Sequence, residues 1–256
     1  MQLTIIGGCG GWPGAGGACG GYLLQHDGFR LLIDPGYAVL PRLLQRLPAH
    51  QVDAVLVSHG HPDHCADLNP LLRARAFMDD PPAALPLHAL PGALDAVLAL
   101  DRPEMLGNSY RLDPFEAGQS LTIGPFAIQT RLLPHPRPNA GFRIEAGRVA
   151  LVYTGDAGPD AALVDLAGGA DLLLAEASYA EDVPSDLRGS LSSAVDAARQ
   201  ATAAGVRSLL LTHFLPGMDR RLARRAARAL FAGPVRGVRA GLSVAVGDLA
   251  RWATQT

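Results

Sequence analysis

A chain of 256 residues, 48% hydrophobic and 18% charged, has ample material for a buried core, and its formal charge of −2 argues against disorder and against a dedicated nucleic-acid binder. All 22 basic residues are Arg. A Walker A phosphate loop, a Schiff-base lysine and Ser-Lys catalysis are therefore excluded, and electrophilic chemistry must come from Arg, backbone amides or a metal.

The first apolar run, Leu3–Ile6, reads as a buried strand. It lies in a stretch from Gln2 to Gln25 that carries no charge yet holds nine Gly between Gly7 and Gly21, with Trp12-Pro13 among them. No membrane helix tolerates that much glycine, and no cationic segment precedes it as a signal peptide requires. Cys9, Cys19 and Cys65 form no CxxC pair, so a disulfide framework is not expected. A soluble, cytoplasmic protein is.

Further strands are predicted over Arg30–Ile33, Ala54–Val57, Ile128–Leu133, Val149–Tyr153, Leu172–Ala175 and Leu209–Leu211. Helical patterns fall between them at Tyr37–Leu47, Leu68–Phe77, Gly92–Ala99, Asp160–Ala167, Leu191–Ala204 and Asp219–Phe231. With hairpin-like segments near 21–33 and 119–153, the class is α/β or α+β. Two halves, about 1–115 and 116–256, each run from hairpin to strand to helix, and a single domain over 1–256 is expected.

The residues just past each strand are the informative ones. Ile33 leads to Asp34, Val57 to Ser58-His59, Leu133 to Pro134-His135, Tyr153 to Thr154-Gly155-Asp156, Ala175 to Glu176 and Leu211 to Thr212-His213. Buried strands ending in His or carboxylate gather those side chains along one sheet edge, where sites commonly form. The densest run is His59-Gly60-His61-Pro62-Asp63-His64, with three imidazoles and a carboxylate within six residues. Left without partners in a folded core these groups would be costly, and a divalent cation resolves the problem, since His nitrogen and Asp oxygen suit zinc at about 2.0–2.2 Å.

The His-x-His-x-Asp-His run, the later His135, Gly155-Asp156 after a strand and His213 after another resemble the metallo-β-lactamase superfamily through almost the whole chain. The resemblance implies an α+β fold, a four-layer αβ/βα sandwich of two mixed sheets flanked by helices. It implies that His59, His61 and His135 hold one metal, that Asp63, His64 and His213 hold a second, and that Asp156 bridges both. Two zinc ions are expected, with manganese or iron suited to the same donors. Ions about 3.5–4 Å apart would generate a bridging hydroxide, which Asp63 and Asp156 can orient.

The start Leu3-Thr4-Ile5-Ile6-Gly7, the glycine loop with Trp12-Pro13, the step from His135 to Gly141-Phe142 and the strand end Glu176-Ala177-Ser178 resemble the RNase Z-like branch. That branch includes tRNA 3′-processing endonucleases, arylsulfatases and small phosphodiesterases. Its endonucleases pair the Glu at the position of Glu176 with a His that helps protonate the leaving group, but Ser190 stands where that His is expected, and a hydroxyl cannot replace imidazole near neutral pH. The basic, Gly-rich arm that grips tRNA is also missing.

The expected function is thus a metal-dependent phosphodiesterase acting on a small or cyclic phosphate ester through a bridging metal hydroxide. Asp63, Asp156 and Glu176 are its candidate catalytic groups, and Arg137 is the candidate for holding a substrate phosphate. Nucleic acid is not favoured as substrate, no membrane partner is expected, and dimers common in the branch imply a homodimer. The alternatives are an RNase Z-like ribonuclease, an iron-dependent oxidoreductase using the same ligands, and a non-catalytic metal-binding protein. Asp34 and Asp67 are candidates for accepting the remote N–H of a ligand imidazole. Cys65 is expected to be a small buried thiol, and the Arg face of Asp219–Phe231 a solvated amphipathic helix.

Overall fold

The computed structural model describes residues 1–106 and 108–248; Gly107 and residues 249–256 of the expected 1–256 domain lie outside the described residues. Its first strands are β1 (Gln2–Gly7), β2 (Gly21–His26), β3 (Phe29–Ile33), β4 (Ala54–Leu56), β5 (Leu85–Ala89), β6 (Tyr110–Pro114) and β7 (Ser120–Ile123). Then come β8 (Phe126–Leu133), β9 (Asn139–Ala146), β10 (Val149–Tyr153), β11 (Leu172–Glu176), β12 (Leu209–Thr212), β13 (Val235–Gly237) and β14 (Ser243–Ala245). One seven-stranded sheet runs β14-β1-β2-β3-β4-β5-β6, the other β13-β12-β11-β10-β9-β8-β7. Each is mixed: β3 to β6 are parallel neighbours in the first sheet, and β10 to β13 in the second. The C-terminal β14 returns to pair with β1, so the first sheet is completed by residues from the far end of the chain.

Period-2 alternation builds two cores from these strands. Leu31 and Ile33 of β3 and Leu56 of β4 meet Phe126, Ile128, Phe142 and Ile144 of the opposite sheet. The intervening Leu32, Val55 and Val57 turn outward to Leu43, Leu68, Leu71 and Leu72 on the covering helices α1 (Val39–Leu43) and α3 (Leu68–Ala76). Between the sheets the Tyr22 and Tyr153 rings lie 5.0 Å apart, and the Tyr22 hydroxyl meets Thr212 Oγ1 at 2.7 Å. The arrangement is the expected αβ/βα sandwich. No described helix is long and apolar enough to cross a membrane.

Local chemistry trims several predicted helices. Ser193 caps α7 (Ala194–Ala203) in a reciprocal box with Asp196, so that helix starts three residues later than its periodicity suggests. Asp219 accepts from the Arg221 and Leu222 amides as the N-cap of α8 (Arg220–Arg228). Strands β5, β6, β13 and β14 escape the apolar-run reading because Pro86 and His88 interrupt β5, β6 is largely exposed, and the last two have three residues each.

Gly155 turns the chain from β10 toward Asp156 at φ +57°, where an added Cβ would collide with Asn139 Oδ1. Gly155→Ala is expected to cost about 2–4 kcal/mol through a left-handed backbone penalty and overpacking. A lower urea midpoint at unchanged m checks this; an unmoved midpoint would mean that the turn relaxes freely.

Candidate metal centre

Strand β4 ends at Leu56, and the chain bends at Ser58 and Gly60 on its way through His59 and His61 before Pro62 begins the short helix α2 (Pro62–Cys65). Pro at the first helical position lacks an N–H that would be unpaired there anyway. The segment before Pro62 brings His59 and His61 to one donor group, and the first helical turn brings Asp63 and His64 to another. Gly60 lies so close to the Ala93 carbonyl that a Cβ would clash with it. From the second sheet, His135 follows β8, Asp156 follows β10 and His213 follows β12. His213 sits at φ +58°, a strained conformation for a residue other than glycine. Hydrogen bonds of about 3.0 Å between Phe214 and both Gly8 and Gly10 hold the next residue in place.

All seven candidate ligands come together, in two donor groups that share Asp156. In the first, His59 Nε2 and His135 Nε2 each lie 3.0 Å from His61 Nδ1, with Asp156 Oδ2 3.9 Å from His59 Nε2. In the second, His213 Nε2 is 3.2 Å from both Asp63 Oδ2 and Asp156 Oδ2, and His64 Nε2 is 3.5 Å from Asp63 Oδ2. His64 Nε2 and Asp156 Oδ1 are 3.1 Å apart but not in hydrogen-bonding geometry, and both buried atoms lack any other hydrogen-bond partner.

The surroundings fix which imidazole nitrogen faces the centre. Ser58 Oγ donates to Asp34 Oδ2 at 2.6 Å and so accepts from His59 Nδ1 at 3.0 Å. His64 Nδ1 donates to Asp34 Oδ2 at 2.8 Å, and His135 Nδ1 to the Ser190 carbonyl at 3.1 Å. Ser178 Oγ donates to Glu176 Oε1 at 2.7 Å and accepts from His213 Nδ1 at 2.8 Å. These partners engage Nδ1 of His59, His64, His135 and His213 and turn each Nε2 into the centre, the orientation a metal ligand needs.

Charge divides the two groups. Burial, aided by the neighbouring imidazoles, pushes His59, His61 and His135 below the ordinary histidine value, so they stand neutral with lone pairs converging. In the second group burial works against charged imidazoles, but Asp156 and Asp63 outweigh it and push His64 and His213 upward. Burial likewise opposes ionisation of Asp63 and Asp156, yet the facing histidines hold both carboxyls well below the usual range. Converging lone pairs, orphaned buried atoms and carboxylates that draw positive charge between them all fit divalent cations.

Other expectations fare differently. Asp34, fully buried, also accepts from the Ser58 amide and the Tyr153 hydroxyl, each at 2.7 Å. Asp67 touches no ligand imidazole: its Oδ2 accepts the Leu40 amide at 2.7 Å, tying down α1, which corrects the idea that it supports the centre. Glu176 is buried behind His213, accepting the Ala157 amide at 2.6 Å and Ser178 Oγ, and it faces the centre through Ser178 and through its own Oε1, 3.9 Å from His213 Nδ1. Arg137 is exposed in the loop after His135. Cys65 is buried as expected, and burial pushes its thiol up to about 12.

The sequence reading missed the roles of Ser58, Tyr153, Ser178 and the Gly11 amide, which donates to Asp63 Oδ2 at 2.7 Å. For Ser178 a signal existed, since two residues along an extended chain from Glu176 is the same face. Ser178→Ala is expected to weaken metal binding about 10–100-fold by freeing the His213 ring. Competition with a chromogenic chelator measures this, and unchanged affinity would dismiss the Ser178 link.

Comparison with known proteins points the same way. Residues 29–214 match the family model of the β-lactamase superfamily domain. A probable metallo-hydrolase, YhfI of Bacillus subtilis, is 35% identical over 247 residues, covering 94% of this chain and 98% of that protein. The crystal structure of that metallo-β-lactamase fold protein superposes with a TM-score of 0.87 at 32% identity, over 95% of this chain and 98% of the other. A ribonuclease Z of Kineococcus radiotolerans is 30% identical over 266 residues, covering 83% of each chain.

Proposed function

We propose, on the premise that this chain belongs to the metallo-β-lactamase superfamily, that it is a metallo-hydrolase cleaving small or cyclic phosphate diesters. The observation that carries this reading is the pair of donor groups joined through Asp156. His59, His61 and His135 would hold one metal ion and Asp63, His64 and His213 another, with Asp156 serving both; zinc suits this donor set, and manganese or iron are its competitors. When bound, such ions supply Lewis acidity toward a phosphoryl oxygen and make water acidic enough to attack near neutral pH.

The chain's own groups do the rest. Asp63, its Oδ2 fixed by the Gly11 amide, and Asp156 accept hydrogen bonds from the attacking water and orient it, while their charge offsets the cations. Arg137, exposed two residues beyond His135, is the group we assign to pair with a non-bridging phosphoryl oxygen. Glu176 is a positioning residue, since it holds Ser178 and through it His213. At Ser190 it is the backbone carbonyl that serves the site, by orienting His135, and the chain offers no imidazole there to protonate a leaving group. That favours esters whose leaving group departs unaided, or stays tethered in a ring, over an RNA strand.

The test is hydrolysis of bis(p-nitrophenyl) phosphate by the metal-loaded protein, within a panel that includes phosphonate, sulfate and lactone esters. Turnover on the diester should vanish on chelation and return with added metal. His64→Ala should lower it by more than about 100-fold, beyond what losing an outer partner alone costs. A metal-loaded protein without diester turnover, or an active His64→Ala variant, would end this reading.

A further inference from the structure

Away from the metal ligands, one open cleft of about 420 Å³ is lined by the glycine loop on one side and by the start of α8 and the segment after β13 on the other. Gly14, Gly16 and Gly217 bring no side chains to its wall, Arg220 and Arg239 are among its lining residues, and no Asp or Glu lines it. Among the described residues neither Arg forms an ion pair with a carboxylate. The nearest acid in sequence, Asp219, is committed to the backbone amides of Arg221 and Leu222.

Arg220 is held in place before any ligand arrives. Its Nη1 donates to the Val238 carbonyl at 3.3 Å, and its guanidinium carbon stacks 5.0 Å from the centre of the Phe214 ring. Stacking and a fixed backbone bond reduce the entropy lost when such a fork engages an anion, and planar guanidinium groups match phosphate oxygens two at a time. The exposed Arg221, Arg224 and Arg225 on the same helix add a positive field that draws anions toward this face.

We propose that this cavity is a binding site for a phosphate-class anion, distinct from the metal centre and gripped by Arg220 and Arg239. It adjoins the centre mechanically, because its wall includes Gly8 and Cys9, and Phe214 beneath Arg220 carries the hydrogen bonds that seat Gly10 against the His213 ring. The anion is either a free effector or a second phosphate of the substrate. Recognition is the same in both cases.

Calorimetric titration of inorganic phosphate into the metal-containing protein tests this, beside Arg220→Gln, Arg239→Gln and Arg228→Gln. Arg228 shares helix α8 but does not line the cavity, so it reports the helix's general field. Binding should weaken at least about tenfold in Arg220→Gln and Arg239→Gln and stay within about twofold in Arg228→Gln. Wild-type affinity in both lining variants, or an equal loss in Arg228→Gln, would overturn the site. Should Arg220→Gln fail to fold, the exposed Arg239 decides alone.

Two further arms separate the sources. A free effector makes inorganic phosphate alter single-phosphate ester turnover in the wild type but not in the lining variants. A second substrate phosphate makes those variants raise KM only for esters that carry one. The titration stands whether or not diester hydrolysis is found, so failure of the proposed activity and failure of this site are read separately.

Discussion

Asp156→Ala is expected to strip the protein of metal and lower diester turnover by more than about 1000-fold, because it removes the one carboxylate both donor groups share. The contrast with His135→Ala makes the experiment specific. His135 belongs to the first group alone, so its loss should leave the second able to bind, and elemental analysis should find about half the wild-type metal. In Asp156→Ala both groups should fail together. Far-UV circular dichroism should stay native, since Asp156 lies at a strand end and makes its close contacts within the centre. Full metal content in Asp156→Ala would show that it is not shared.

Asp34→Ala carries the second large effect, and on stability as much as on metal. Its fully buried carboxylate receives the Ser58 amide, the Ser58 hydroxyl, the Tyr153 hydroxyl and His64 Nδ1, all within 2.8 Å. Removing it leaves four buried donors without an acceptor, each costing about 1–3 kcal/mol, so a loss of at least about 4 kcal/mol is expected. Urea unfolding measures this. Tyr153→Phe deletes only one of the four donors and should cost about 1 kcal/mol, without additivity in the double variant. A loss below about 1 kcal/mol in Asp34→Ala would mean that water replaces the carboxylate and that the His64 ring is not held as described.

The comparison of Asp34 with Asp67 shows where sequence reading stops. Asp34 ends a strand well before the His-rich run and Asp67 follows just after it, and neither position alone says which acid meets a ligand imidazole. Parallel pairing of Ile33 with Leu56, and the Asp34 amide bonded to the Leu56 carbonyl at 3.0 Å, set Asp34 beside Ser58 and His59. Asp67 lies past α2, where the open amides of α1 claim it. Only the register and the helix packing make that choice.

The seven candidate ligands were legible for the opposite reason. His59, His61, His135, Asp156 and His213 lie shortly past the end of an apolar strand and Asp63 and His64 on the short helix after β4, and a buried strand fixes where its C-terminal residue emerges. The partners that select imidazole tautomers were less so. Ser58 and Ser178 are small and common, and the Ser190 contact runs through a carbonyl that no side-chain pattern reveals. Short edge strands escaped for want of length, as with three-residue β13 and β14.

The most direct measurement is anomalous diffraction at metal absorption edges from crystals of the metal-containing protein. Two peaks are expected, one touching His59, His61 and His135, the other touching Asp63, His64 and His213, with Asp156 against both. Density for ordered, metal-free imidazoles at either group, or anomalous peaks only elsewhere on the molecule, would contradict a paired metal centre.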